Sequence, residues 1–386
     1  MTLTAPEMRT VLPTRDDDTP PALPRTDLGR LPAEDRLTIW GARFAGLALA
    51  WVICERLLPL AGFAWFLVMF AAMNVLVLAL ATWLKHGWTV VADRIASWLI
   101  NTAALIVIVA LVSTIAYVIS RGFKPMMHLN FWTQSMKGVA PTDPLTSGGI
   151  LHAILGSCIE VGLALLVVVP LGIGTAIYMT EIGGRFAKVV RTVVEAMTAL
   201  PSVVAGLFIY TVWILTLGGN KSGLAAALAL GVMALPIIAR AADVVLRVVP
   251  GTLREASYGL GASRWKTVWH VVLPTARPGL ATALILGIAR AIGETSPVLL
   301  TSGLANFYVF NPTQGVMNSL PLQIYTQVRS GEPVAIARGF ATAAALMLIV
   351  LALFVLARVA ARPKSAKPGL IKRLVRSLPH RPVKES

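Results

Sequence analysis

Four ionisable residues lie near or within long apolar stretches of this 386-residue chain, where lipid would penalise their charge. Arg240 precedes Asp243 by three residues and Arg290 precedes Glu294 by four, so each pair would share one face of a helix. Arginine keeps its charge and presents a planar fork of N–H donors that fits the oxygens of a phosphate-like anion. A neighbouring carboxylate would balance the arginine in the absence of the anion and would prevent binding too tight for release. The four residues are therefore candidates for an anion path.

A structural interpretation of the same residues is also open. Ion pairs between transmembrane helices use the same residue types at the same spacing, and they hold helices together without touching a substrate. From the residues alone, the arginines either contact an anion or brace a pore.

The composition indicates a membrane protein. Hydrophobic residues make up 56% of the chain and charged residues 13%, with a mean hydropathy of +0.74, which is more apolar than one soluble core can bury. A net charge of +16 would suggest nucleic-acid binding in a soluble protein. Here the basic residues gather between and beyond the apolar runs, as the positive-inside rule describes. We therefore predict an all-α polytopic membrane protein with no nucleic-acid partner.

Eight apolar windows are long enough to cross a bilayer, which takes roughly 20 residues. They cover residues 42–60, 63–84, 98–120, 150–179, 198–217, 224–245, 279–300 and 340–359. We predict about eight transmembrane helices, namely a six-helix core from residue 98 onward and an extra N-terminal hairpin. Residues 1–41, rich in Pro, Asp and Arg, are predicted to be a disordered arm.

The distribution of Lys and Arg predicts the orientation. With a cytoplasmic N-terminus, the inside segments hold most of the basic residues, including the C-terminal tail 362–386. These inside segments are 1–41, 85–97, 180–197, 246–278 and 360–386. We therefore predict that both termini are cytoplasmic and that the polar stretch at 250–275 faces the cytoplasm.

That polar stretch resembles a known coupling element. Glu255 and Ala256 open it, Gly261 follows, and Leu273 and Pro274 close it. This pattern is similar to the EAA loop of permease subunits in bacterial ABC importers. The resemblance implies a short helical hairpin that docks on an ATPase subunit.

A second set of motifs is more specific. The runs Leu235–Arg240, Arg247–Ala256 and Arg290-Ala-Ile-Gly-Glu-Thr-Ser-Pro297 resemble the PstA family, the permease subunits of the bacterial high-affinity phosphate importer. The similarity covers about residues 98–361 and implies a permease domain there, preceded by the hairpin and connector at 42–97. Residues matching Arg240, Asp243, Arg290 and Glu294 are the charged candidates for the phosphate path in that family.

The resemblance also implies the assembly. Its expected members are a second homologous permease subunit, two ATPase subunits and an extracytoplasmic phosphate-binding protein, around this chain in the cytoplasmic (inner) membrane, with inorganic phosphate as substrate. Two alternatives stay open. A permease for another oxyanion, such as sulfate or molybdate, should lack the Arg290–Pro297 run, and a membrane scaffold or sensor without transport would need neither the arginines nor the docking loop.

Enzyme chemistry has little support in the sequence. The stretch Gly218–Ser222 lacks the glycines of a phosphate-binding loop, so a turn is predicted there. The five histidines show no metal-ligand spacing, and Cys54 and Cys158 lie within apolar windows. We predict no catalytic residue, metal or cofactor on this chain, and ATP hydrolysis on a partner chain.

Overall fold

The computed structural model describes residues 33–57 and 62–360, and over those residues every regular element is a helix. Within this part of the chain, seven helices are long and apolar enough to cross a membrane, or eight if a bent pair counts as one span. The prediction of an all-α protein with about eight spans is confirmed. The first 32 residues and the basic tail at 362–386 lie outside the described residues.

Most of the helices follow one another with short connections, and the two long connections are 134–150 and 302–319. Their bounds are α1 Ala33–Val52, α2 Phe63–His86, α3 Trp88–Met126, α4 Leu129–Thr133, α5 Leu151–Ile177, α6 Gly184–Thr198, α7 Ser202–Ile209, α8 Gly223–Val248, α9 Gly251–Gly259, α10 Arg264–Thr267, α11 Leu273–Ile292, α12 Ser296–Thr301, α13 Leu320–Arg329 and α14 Pro333–Ala360. Four π-helical segments, Ile53–Leu57, Tyr178–Ile182, Tyr210–Thr216 and Val268–Val272, continue α1, α5, α7 and α10.

The chain divides into two compact units, and the first, residues 1–111, contains the N-terminal hairpin. Helices α1 and α2 approach closely at Gly46, where a Cβ atom would lie 2.8 Å from the Cα of Asn74. Arg94 pairs with Asp35. One prediction needs correction here. The arm predicted to be disordered to residue 41 is helical from Ala33. Helix α3 begins at Trp88, so most of the connector 85–97 is the start of that helix.

The second unit, residues 112–386, has its main core where α5, α8 and α11 meet. Ile238 of α8 is fully buried between two glycines. A Cβ atom at Gly172 of α5 or at Gly287 of α11 would lie 2.9 Å or 2.5 Å from the Ile238 side chain. These glycines therefore allow three helices to pack around one isoleucine, because close-packed interiors leave no room for extra methyl groups.

The fifth apolar window is not one straight span. Helix α6 and the segment from Ser202 to Thr216 meet at an angle of 102°, with Pro201 at the break. Proline disfavours helical backbone at the residue before it, which explains why α6 ends there. The segment 180–197, predicted to be a cytoplasmic connection, thus contains a helix that buries Ala187 and Val194 and exposes Arg185 and Lys188.

The seventh window also differs from its prediction as one helix over 279–300. A continuous helical span runs from Arg264 to Ile292, breaks at residues 293–295, and resumes as α12. Pro297 lies in the first turn of α12, where its missing N–H costs nothing. Arg290 therefore lies in the last turn of α11 and not in the middle of a long helix.

Candidate functional site

The break between α11 and α12 carries Arg290 and Glu294. The Arg290 Nε lies 3.6 Å from the Glu294 Oε1, and the Arg290 side chain is 59% exposed while that of Glu294 is 16% exposed. Both border a narrow crevice that Met233 and Ile237 of α8 also line. The structure thus brings Arg290 and Glu294 together, as their spacing predicts, with the arginine the more accessible of the two.

The irregular backbone at 293–295 is supported by protein on one side. A Cβ atom at Gly206 of α7 would lie 2.6 Å from the Cα of Pro297, so α7 and α12 are in close backbone contact. Pro297 and Val298 are buried. Non-helical backbone at membrane depth is tolerated where it is buried in protein or lines a water-filled cavity. Packing of α12 against α7 meets the first condition.

Arg240 and Asp243, which the sequence places on one face of α8, do not form an ion pair with each other. Arg240 pairs with Glu195 of α6, and the two side chains are 47% and 50% exposed. Helix α6 packs on α8 and offers each of the two residues a nearer partner of opposite charge.

Asp243 is instead a buried carboxylate that pairs with two arginines. Its side chain is 5% exposed and lies 3.3 Å from Arg191 of α6 and 3.1 Å from Arg247 of α8. Arg191 also donates to the backbone carbonyl of Met179, at 3.2 Å. Asp243 therefore ties α5, α6 and α8 together, and its carboxylate is not accessible to a passing anion.

Arg290, at the end of α11, and Arg240, on α8, both lie beside one face of α8. Arg290 borders the same crevice as Met233 and Ile237, and Arg240 follows Ile237 by three residues. Positions 233, 237 and 240 share a helical face, and three residues correspond to about 4.5 Å of helix rise. Arg290 and Arg240 are thus staggered along the axis of α8, each with its own carboxylate, Glu294 or Glu195.

The polar stretch after α8 is a helical hairpin. Helix α9 ends before Gly261, whose φ of +80° is a left-handed conformation that favours glycine, and α10 begins at Arg264. The Oγ atom of Ser257 lies 2.9 Å from the Oγ1 atom of Thr267, which links the two arms. Ser263 caps α10 by accepting from the backbone N–H of Lys266, at 3.4 Å.

The predicted docking residues occupy two parts of this hairpin. Glu255, Ala256 and Gly261 are exposed on the first arm and the turn. Leu273, half-buried, and Pro274, exposed, begin α11 and thus belong to the transmembrane helix. Large apolar side chains are also exposed near the turn: Leu260 is 89% exposed and Trp265 67%.

Arg254 anchors the hairpin to the rest of the second unit. It donates to Glu181 at 2.9 Å and to the backbone carbonyls of Leu246 and Val249 at 2.9 Å and 2.8 Å. The Glu181 side chain is only 6% exposed. The sequence prediction does not include Glu181, Arg191 and Glu195, because it places the segment 180–197 outside the apolar windows as an inside segment. The four-residue spacing of Arg191 and Glu195 was the available signal for a helix there.

A family model described as "Binding-protein-dependent transport system inner membrane component" matches residues 168–362, which include α8, the hairpin and α11. The chain belongs to this family of transport components.

Relatives of this transport component include three proteins named phosphate transport system permease protein PstA. The Mycobacterium leprae protein is 40% identical over 261 residues, which are 67% of this chain and 85% of that protein. PstA 1 of Mycobacterium tuberculosis is 38% identical over the same shares. PstA of Xylella fastidiosa is 37% identical over 53% of this chain and 69% of that protein.

This transport component has no metal-binding cluster of three or more His, Cys, Asp or Glu side chains in its described residues. The stretch at Gly218–Ser222 is a connection between the π-helical segment that continues α7 and helix α8, with Gly218 at a φ of +71°. The Ser222 side chain caps α8 by accepting from the backbone N–H of Ala225. The stretch Gly218–Ser222 is therefore a turn whose last residue caps α8.

Proposed function

We propose that this chain is the permease subunit of an ATP-driven importer of inorganic phosphate in the bacterial cytoplasmic membrane. The observation that carries the proposal is the placement of two exposed arginines beside one face of α8. Arg290 comes from the end of α11 and Arg240 from α8 itself, and the two are staggered along the axis of α8. The names of the relatives add the substrate, since all three are phosphate transport permeases. Two guanidinium groups that an anion meets one after the other suit an oxyanion with several equivalent oxygens.

The carboxylates explain how the anion leaves. Glu294 neutralises Arg290 before phosphate arrives and competes with phosphate for the guanidinium afterwards. Glu195 does the same for Arg240. A charge-assisted hydrogen bond contributes about 1.5–3 kcal/mol, so one exposed arginine holds phosphate only briefly. Brief binding at two staggered stations meets the requirement that conduction sites be weak enough to release the ion.

A second permease subunit completes the path. An arginine side chain that is 59% exposed near the end of a transmembrane helix would be costly against lipid. The exposed face of Arg290 and Arg240 therefore lies toward a water-filled space between this chain and a homologous subunit. An extracytoplasmic phosphate-binding protein delivers the anion to that space.

The hairpin couples the path to ATP. Its exposed turn, with Leu260 and Trp265, docks on one of two ATPase subunits in the cytoplasm. The same hairpin is bonded through Arg254 to Glu181, next to the end of α5, and to the last turn of α8. Movement of an ATPase subunit thus reaches the helix that carries Arg240, while ATP is hydrolysed on the partner chain. Both termini of this chain lie in the cytoplasm.

The test of the substrate is uptake of labelled phosphate by cells that lack their own phosphate permease and contain this chain with its partner subunits. Sulfate and molybdate are added as competitors in excess. Phosphate uptake that resists both competitors supports the proposal. Uptake blocked by either competitor moves the assignment to that oxyanion, and no uptake of any oxyanion by an assembled complex contradicts it.

A further inference from the structure

Glu160 is a carboxyl group inside the transmembrane helix α5 that the proposed path does not use. The residue is 1% exposed, and within the described part of the chain it takes part in no ion pair with an arginine or lysine. Its Oε1 atom lies 2.5 Å from the Oγ atom of Ser302, which follows α12 directly. A buried carboxylate without a cation is expensive in a membrane, so its state needs an explanation.

The hydrogen bonds around Ser302 give that explanation. The Ser302 Oγ lies 2.5 Å from the Glu160 carboxyl and 2.8 Å from the backbone carbonyl oxygen of Met317. A hydroxyl has one proton and can donate to only one of these two acceptors. If Glu160 were ionised, the Ser302 hydroxyl could donate to only one of these two oxygens. The other close oxygen–oxygen contact would then have no proton between its atoms. With Glu160 protonated, the acid donates to Ser302, and Ser302 donates to Met317.

We infer that Glu160 is a neutral carboxylic acid that positions the segment between α12 and α13 through Ser302. The inference rests on the proposed function only where it concerns transport. The segment begins directly after α12, and α12 begins two residues after Glu294. Glu160 is therefore a positioning residue for the broken helix that carries Arg290 and Glu294.

Neighbouring residues on α5 show that this face is built to hold the segment. Gly156 and Ser157 each precede Glu160 by about one helical turn, so both lie on the side of α5 that carries Glu160. A Cβ atom at Gly156 would overlap the carbonyl oxygen of Asn318. Ser157 accepts from the backbone N–H of Leu320, at 2.8 Å. The acid of Glu160 thus joins the contacts at Gly156 and Ser157 that hold residues 302–320 against α5.

Polar side chains complete the buried network. The amide nitrogen of Asn318 donates to Gln323 at 2.6 Å and lies 3.3 Å from the Nε2 atom of His152. His152, Asn318 and Gln323 are all buried. These hydrogen bonds join α5 to the segment before α13, and a displaced segment would leave the buried amide of Asn318 without its partners.

The first test is infrared spectroscopy of the purified complex in lipid, without substrate. We expect a carbonyl band of a protonated carboxylic acid that is absent in Glu160→Gln. The band shifts in Ser302→Ala, since the acid then loses its acceptor. A spectrum without this band, or a band that is the same in Glu160→Gln, overturns the inference. This readout does not depend on which solute the complex transports.

The second test compares uptake at equal amounts of assembled complex. Glutamine has the shape and the donor of the neutral acid, so Glu160→Gln should keep uptake within about twofold of the wild type. Glu160→Asp is too short to reach Ser302 and should lose at least tenfold in maximal rate, with little change in KM. Normal uptake in Glu160→Asp together with loss in Glu160→Gln would mean an ionised carboxylate and would overturn the inference. No phosphate uptake by the wild type would instead overturn the proposed function, and the infrared result would still stand.

Discussion

Arg254 donates two hydrogen bonds to the Oε1 atom of Glu181, a residue 73 positions earlier, at 2.9 Å and 3.2 Å. Arg254 lies in the hairpin, and Glu181 lies in the π-helical turn that ends the α5 span. The same guanidinium donates to the carbonyl of Leu246, in the last turn of α8. One side chain therefore joins the proposed docking element to two core helices.

Removing this side chain should uncouple the transporter. We expect Arg254→Ala to lower phosphate uptake at least tenfold while the ATPase subunits still hydrolyse ATP. Charge-assisted hydrogen bonds contribute about 1.5–3 kcal/mol, and the variant leaves Glu181 buried without its partner, so thermal stability should fall as well. Uptake, ATP hydrolysis and thermal melting of the purified complex give the three readouts. Glu181→Ala should reproduce the loss, and normal uptake in both variants would contradict the coupling role.

The turn of the hairpin should require glycine at position 261 because of the backbone conformation there. Lack of space for a side chain is not the reason. Gly261 has a φ of +80°, and a Cβ atom there would contact nothing within 4 Å. A left-handed conformation costs a residue with a side chain about 1–2 kcal/mol, and Gly261→Val should cost more because valine is β-branched. We expect Gly261→Val to lower uptake at least fivefold.

The matched control for Gly261→Val is Gly259→Ala. Gly259 also has open space around its Cβ position, but its φ is not in the left-handed region. Uptake in this control should stay near the wild-type rate. An equal loss of uptake in both variants would contradict this explanation. It would mean that a side chain disturbs the hairpin even where the backbone is not left-handed.

The contact between α5 and Asn318 gives a prediction about assembly. A methyl group at Gly156 would overlap the carbonyl oxygen of Asn318, so Gly156→Ala must displace the segment before α13. Forced overpacking of this kind costs about 1–3 kcal/mol. We expect a lower melting temperature and less assembled complex. Gly162→Ala, on the same helix with nothing within 4 Å, should behave like the wild type.

Asp243 should act as a brace. Its carboxylate holds Arg191 and Arg247, and Asp243→Asn leaves two guanidinium groups without their shared anion. Asp243 is buried and its loss removes the shared partner of two partly exposed arginines, so the amount of folded complex should fall. The complex that does assemble should show a KM close to that of the wild type. A raised KM at normal stability would return Asp243 to the anion path.

The sequence predicted the helical class, the number of spans and the polar stretch at 250–275, since these follow from the lengths of apolar windows and from charge. The hairpin form of that stretch was implied by its resemblance to the EAA loop. It did not predict the break at 293–295 or the bend at Pro201, because both fall inside apolar windows in which hydropathy is continuous. The partners of Arg240 and Asp243 also escaped prediction. They come from α6, and long-range packing decides which helix lies against α8.

The role of Arg290 is the central claim, and uptake of labelled phosphate by a complex with Arg290→Ala tests it most directly. Arg329→Ala is the control, since Arg329 is an exposed arginine that contacts Tyr325 on α13. At equal amounts of assembled complex, we predict that Arg290→Ala loses at least tenfold in uptake while Arg329→Ala keeps the wild-type rate. Uptake by Arg290→Ala at the wild-type rate and KM would contradict the account and leave Arg290 as a structural residue.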